Sequence, residues 1–180
     1  MFDMDSDKNR EERTQNAYKK LVTNLDDMTK AYRNFLDVVR KEKDFLLTSD
    51  IEKLRDNNSV KESTLTKLKA LDGARERYAK DLANLVGGEA ESPRLLDIAQ
   101  KMAGPNGDQL RSIHATLELL VRRATEINRE NERYAQSALK TLDGAMGNIK
   151  ETLVGKTTYQ RQGTLSNESN KAGNFVRKEG

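Results

Sequence analysis

Asn128 and Asn131, three residues apart, form the most pointed polar pair in the chain, and the chemistry open to them is hydrogen bonding. A carboxamide can donate two hydrogen bonds and accept two, but it offers no proton for acid–base work. Residues suited to catalysis or metal binding are scarce. His114 is the only histidine and there is no cysteine, so a zinc site would find neither a thiolate nor a second imidazole. Carboxylates abound, but on long helices they are usually solvated or paired with Lys or Arg one turn away. Gly155-Lys156-Thr157 resembles the end of a phosphate-binding loop. Lys150 stands where that motif needs a glycine, and a helix precedes it where a strand should. The expectation is therefore no enzyme, no metal site and no cofactor.

The asparagines must be held by long helices. Tyr18, Leu21, Leu25, Met28, Tyr32, Phe35, Val39, Glu42 and Leu46 step along the chain by alternating threes and fours, and Glu42 alone breaks the apolar seam. This is an a/d heptad pattern and predicts a helix from about Ser6 to Leu47. Ser49 followed by Glu52 has capping-box spacing, so a second helix is expected from about Asp50 to Val86. Its seam is Leu65, Leu68, Leu71, Tyr78, Leu82 and Leu85, with Asn57-Asn58-Ser59 a weak place where a kink is allowed. Gly87-Gly88 ends it, because glycine accepts the left-handed conformation past a helix end.

Ser92-Pro93 predicts the cap and first residue of a short helix reaching about Ala103. Gly104-Pro105-Asn106-Gly107 reads as a turn, after which Asp108 is expected to cap a third long helix reaching about Val154. The third seam is Leu110, Ile113, Leu117, Leu120, Ala124, Ile127, Asn131, Tyr134 and Ala138. It then shifts by one residue to Leu139, Leu142, Met146, Ile149 and Leu153, which locally unwinds a coiled-coil geometry. Gly144 and Gly147 make that half the weakest helix.

The expected fold is all-α, an elongated antiparallel bundle of three long helices plus one short helix, with a disordered C-terminal tail. Residues 1–154 would form the body and 155–180 the tail. Hydrophobic residues are 35% and charged residues 34% of the chain, too polar for a thick core but suited to helices that each bury a stripe. The net charge is +3, and all of it lies in the tail from Gly155 onward, where five basic residues face two acids. A neutral, sign-mixed body is a poor nucleic-acid footprint, so no nucleic-acid partner is expected. No stretch approaches the roughly 18 apolar residues of a spanning helix. MFDMDSDKNR has no apolar run after it to act as a signal peptide. The chain is thus expected to be soluble, cytoplasmic and not membrane-inserted.

Asn131 falls on the third seam and Asn128 beside it. A buried asparagine fixes register at some cost in stability, and this reading comes first. The two amides could also hydrogen-bond across to another helix or backbone. Here a resemblance enters. Ile127-Asn128-Arg129-Glu130-Asn131, then Ser137, Leu139, Leu153 and Gly155, and finally Tyr159 with Gly163, resemble the FlgN family of flagellar export chaperones. Earlier in the chain Asp50, Leu54, Lys61, Leu65, Leu68 and Arg75 match that family's second-helix pattern. The resemblance spans roughly 28–163. Two departures are Tyr134-Ala135, where the family usually has leucines, and a longer segment from Gly88 to Gly107.

The resemblance implies a cytosolic chaperone of flagellar type III secretion. Such a protein would hold the hook-associated proteins by their terminal helices and deliver them to an export-gate component. The client surface would comprise Asn128, Asn131, Tyr134, Leu139, Leu142, Met146, Ile149 and Leu153, and Tyr159 would dock at the gate. The residues themselves are compatible, since a partly filled apolar stripe suits an amphipathic partner helix. A monomer or a dimer is expected. The competing readings are a structural coiled-coil scaffold, disfavoured by the broken seams, and a nucleic-acid or membrane-surface binder acting through the basic tail.

Overall fold

A computed structural model describes the backbone of residues 3–154 and the side-chain burial of residues 7–152. The tail, with the disorder expected of it, and Tyr159 lie outside the described residues. Within them the chain is all-α: α1 (Asp3–Thr48), α2 (Ile51–Val86), α3 (Leu95–Met102) and α4 (Gly104–Val154). These are the three long helices and one short helix that the spacing predicts. By packing the chain divides into two units, Met1–Glu132 and Arg133–Gly180.

In the first unit α2 runs back along α1. Arg10 Nη2 donates to the Leu85 carbonyl (3.0 Å), Asn24 Nδ2 to that of Leu71 (3.2 Å) and Asn57 Nδ2 to that of Val38 (3.2 Å), so one numbering falls as the other rises. The part of α4 in this unit runs parallel to α1, since Tyr18 meets Gln109 and Val39 meets Asn131. An up-down-up arrangement follows from the short connections. Two core clusters fill it. Tyr18, Leu21, Leu25 and Met28 pack with Ala79, Leu82 and Ala83 of α2, Ile98 and Ala99 of α3, and Leu110 and Leu117 of α4. Farther along, Ala31, Phe35, Leu36 and Val39 pack with Leu68, Ala124 and Ile127. α1 buries more than its a/d seam, including Ala31, Leu36 and Val38, because it faces both α2 and α4.

Several local expectations are corrected. Asp50, not Ser49, caps α2: its carboxylate accepts from the Lys53 N–H (3.1 Å), while Ser49 sits at φ 56. The Lys53 ammonium lies 2.7 Å from the same carboxylate. The Lys53 side chain first, and its N–H second, hold the Asp50 carboxyl below its ordinary value. That stabilisation is present above the unfolded pKa and is lost as acid protonates the group. α2 runs unbroken through Asn57-Asn58-Ser59, with Asn57 turned inward onto the Val38 carbonyl. Leu65, expected on the seam, is exposed, and Thr64 is buried in its place. Gly87 ends the helix at φ 73, as its position predicts.

α3 begins at Leu95, with Arg94 extended before it and no side-chain cap at Ser92. The expected turn Gly104–Gly107 is instead the first turn of α4. Reversal happens one step earlier, at Ala103 (φ 50) and Gly104 (φ 52). Pro105 is compatible because the first helical turn has no use for its missing N–H. Asp108 pairs with Arg111 (2.6 Å) and caps nothing.

Candidate functional site

The polar residue that interrupts the α1 seam is the centre of a buried cluster. Glu42 accepts from Lys61 Nζ at both carboxylate oxygens (2.9 and 2.8 Å). Its Oε2 also accepts from Asn131 Nδ2 (2.9 Å), which donates in addition to the Val39 carbonyl (2.8 Å). Three helices are thus tied at one level by charge-assisted bonds, which are stronger than neutral ones. Nearby, Lys43 of α1 and Glu130 of α4 pair at 2.8 Å on the surface.

This geometry removes Asn131 from the partner surface. It is 3% exposed, and its two donor hydrogens are used within the chain. The register reading of Asn131 matches these contacts, and so does the crossing of its amide to a neighbouring helix. Asn128 is half-buried and bonds within its own helix, to Glu132 Oε1 (2.7 Å), not across. Neither asparagine Oδ1 has a hydrogen-bond partner among the described residues. The Glu42–Lys61 pair was not among the expected site residues. Its signals in the sequence were the break in the α1 seam at Glu42 and the place of Lys61 in the second-helix pattern of the resemblance.

The third-helix seam is buried from Leu110 to Asn131, with Ile113 and Leu120 half-buried, and stops there. Tyr134 is exposed. After the shift, Leu139 (62%), Leu142 (62%), Met146 (68%) and Ile149 (56%) are all exposed. Steps of three, four and three place these four on one face of α4. Leu153 belongs to α4 by backbone, and its side chain is outside the described residues. The expected site residues therefore part into two groups, the asparagines in the first unit and the apolar residues in the second.

No concavity in the first unit was anticipated from the sequence. A groove of about 730 Å³ in the first unit is lined by Leu25, Met28 and Tyr32 of α1, Leu95 and Leu96 of α3, and His114, Leu117 and Val121 of α4, among others. Burial first, and then Asp72, push the Tyr32 phenol above its ordinary pKa, against the pull of Arg75. His114 is half-buried there, 4.0 Å from Glu118. Arg75, Arg94 and Arg122 are mixed with Asp97 and Glu118 around it, so no single sign of charge dominates. Among the described residues no group of three or more His, Cys, Asp or Glu could hold a metal ion. No described helix is long and apolar enough to cross a membrane.

A family model described as FlgN protein matches residues 17–167, most of the chain. That span takes in the buried polar cluster, the exposed stripe and the position of Tyr159. Neither the curated proteins nor the solved structures gave a match.

Proposed function

Because this chain belongs to the FlgN family, and so to the flagellar export chaperones, we propose that it holds hook-associated proteins through the exposed stripe of α4. The observation that carries this reading is the row Leu139, Leu142, Met146 and Ile149, four large apolar side chains exposed on one face. An amphipathic client helix laid against such a row buries both apolar faces together. Methionine suits the task, since its flexible thioether adapts to an irregular surface.

Magnitudes favour a reversible complex. Fully burying four such side chains contributes roughly 6–12 kcal/mol. Lost translational and rotational freedom costs about 4–15 kcal/mol. The two are comparable, so the client is held but can leave, as export demands. Tyr134 lies on the same helix and is exposed. It adds an aromatic anchor of the kind common at interfaces.

The test replaces Leu139, Leu142 and Ile149 with serine. Titration with the terminal helix of a hook-associated protein should then show binding weakened at least about 100-fold. The urea midpoint of the first unit should stay within error, because these side chains are already exposed. Unchanged client affinity would place the client elsewhere.

The second half of the proposal concerns delivery. Tyr159 is read as the export-gate anchor, on the strength of the family's Tyr element and the net +3 of the tail. Tyr159→Ala should leave client affinity intact while lowering secretion of the client several-fold. Wild-type secretion would return Tyr159 to an ordinary surface residue. Lost client affinity would assign it to the client surface.

A further inference from the structure

We propose that the α4 stripe is covered, when no client is present, by the same stripe of a second copy of the chain in an antiparallel two-fold pair. The pairing stands on charge placement in α4. Its role as a removable cover rests on the client reading above.

The spacing of Leu139, Leu142, Met146 and Ile149 assigns them to alternating a and d positions of a heptad. The two flanks of that seam differ. On one side Asp143 and Lys150 occupy successive e positions, with opposite charges. On the other, Ala138 and Ala145 occupy successive g positions. Asp143 and Lys150 are exposed, and neither has an ion-pair or hydrogen-bond partner among the described residues.

The difference between the flanks selects the orientation. In a parallel pair each e flank faces the partner's g flank, so Asp143 and Lys150 would meet only alanine. In an antiparallel pair e faces e. Asp143 of one copy then meets Lys150 of the other, and the two-fold axis makes the contact twice, as an isologous interface requires. The same register sets Met146 against Ile149 of the second copy, and Leu142 against the heptad position of Leu153, so the apolar seam from Leu142 onward and the ion pairs close together, while Leu139 lies beyond the paired apolar stretch. The alanine flank adds no bulk to keep the helices apart.

Such a pair is weak. Four apolar positions per copy fall short of the roughly 800 Å² a side of a standard stable interface. Weakness is what a removable cover needs, because a client helix must compete for the face. Self-pairing also shields an apolar patch that would otherwise invite nonspecific association.

Sedimentation equilibrium of the full chain tests the proposal. The average mass should rise from monomer to dimer with concentration. Asp143→Lys or Lys150→Asp alone turns two ion pairs into two like-charge contacts, and each should raise the dimer Kd about tenfold. The double variant Asp143→Lys/Lys150→Asp should restore it, a result that parallel pairing does not give. The proposal is overturned if the wild type stays monomeric at all concentrations, or if the single variants associate like the wild type. Titrating the monomeric single variants with the terminal helix of a hook-associated protein separates the two readings. They should bind at least as tightly as the wild type. If the charge rule holds and no variant binds the client helix, the self-pair stands and the client reading falls.

Discussion

Glu42→Ala should lower the stability of the helical unit Met1–Glu132 by about 3–5 kcal/mol, the usual cost of breaking a buried ion pair from one side. The carboxylate accepts two bonds from Lys61 and one from Asn131. Alanine leaves the ammonium without its counter-charge and the amide with one acceptor fewer, in a place water reaches poorly. The Lys61 and Glu42 side chains are only 17% and 11% exposed. Glu42→Gln, which keeps the volume and one acceptor, should cost less, about 1–3 kcal/mol. The surface pair of Lys43 and Glu130 supplies the contrast. Its side chains are about half exposed, so Lys43→Ala should cost no more than about 1 kcal/mol. Urea denaturation followed by circular dichroism measures all three. A Glu42→Ala loss no larger than that of Lys43→Ala would mean that the cluster is solvated and structurally idle. Replacing Glu42 and Lys61 together by leucine should recover much of the loss, because a buried pair seldom outperforms apolar packing. What the pair supplies is alignment: it ties α1 to α2 and, through Asn131, to α4.

Gly107→Ala should destabilise the same unit by about 1–3 kcal/mol, the usual range for overpacking. Two effects oppose each other here. Inside a helix alanine is favoured over glycine by about 1 kcal/mol. However, a Cβ at Gly107 would collide with the Ala99 carbonyl oxygen, where α4 closes on the end of α3. That oxygen is backbone and cannot swing aside like the tip of a lysine. It also accepts from the Ala103 N–H (3.3 Å) and from Arg111 Nη1 (3.4 Å), so moving it disturbs two further bonds. The steric term wins. Gly144→Ala is the control, for a Cβ there meets nothing within 4 Å. It should raise helix content without loss of stability. If Gly107→Ala were stabilising to the same degree, the close approach of α3 and α4 would be disproved.

The exposed stripe shows how far pattern reading reaches. The one-residue shift after Ala138 is visible in the spacing, and Leu139, Leu142, Met146 and Ile149 beyond it are exposed, although the seam already leaves the core at Tyr134, before the shift. Asn131 shows where it stops. Its seam position was legible, and with it a register role. Its acceptors, the Val39 carbonyl and Glu42, lie 92 and 89 residues away and were not. Leu65 and Thr64 make the same point on a smaller scale. Either could face inward by period alone, and the helix turned Thr64 to the core.

Helix type, length and broad order were written in the chain because each depends on groups within a turn or two. Alternating three–four spacing, Gly87 at a helix end and an almost proline-free chain act locally, and they produced three long helices and one short one. Side-chain pairing between helices is a different kind of quantity. It depends on the rotation and axial offset of each helix, which are set by the summed packing of both core clusters and by how each connection reverses. A change of one residue in that offset would bring other partners to Glu42, Gly107 and Asn57 while leaving every local pattern intact. The meeting of Glu42 with Lys61 and Asn131, and of Gly107 with Ala99, therefore came from the packed fold.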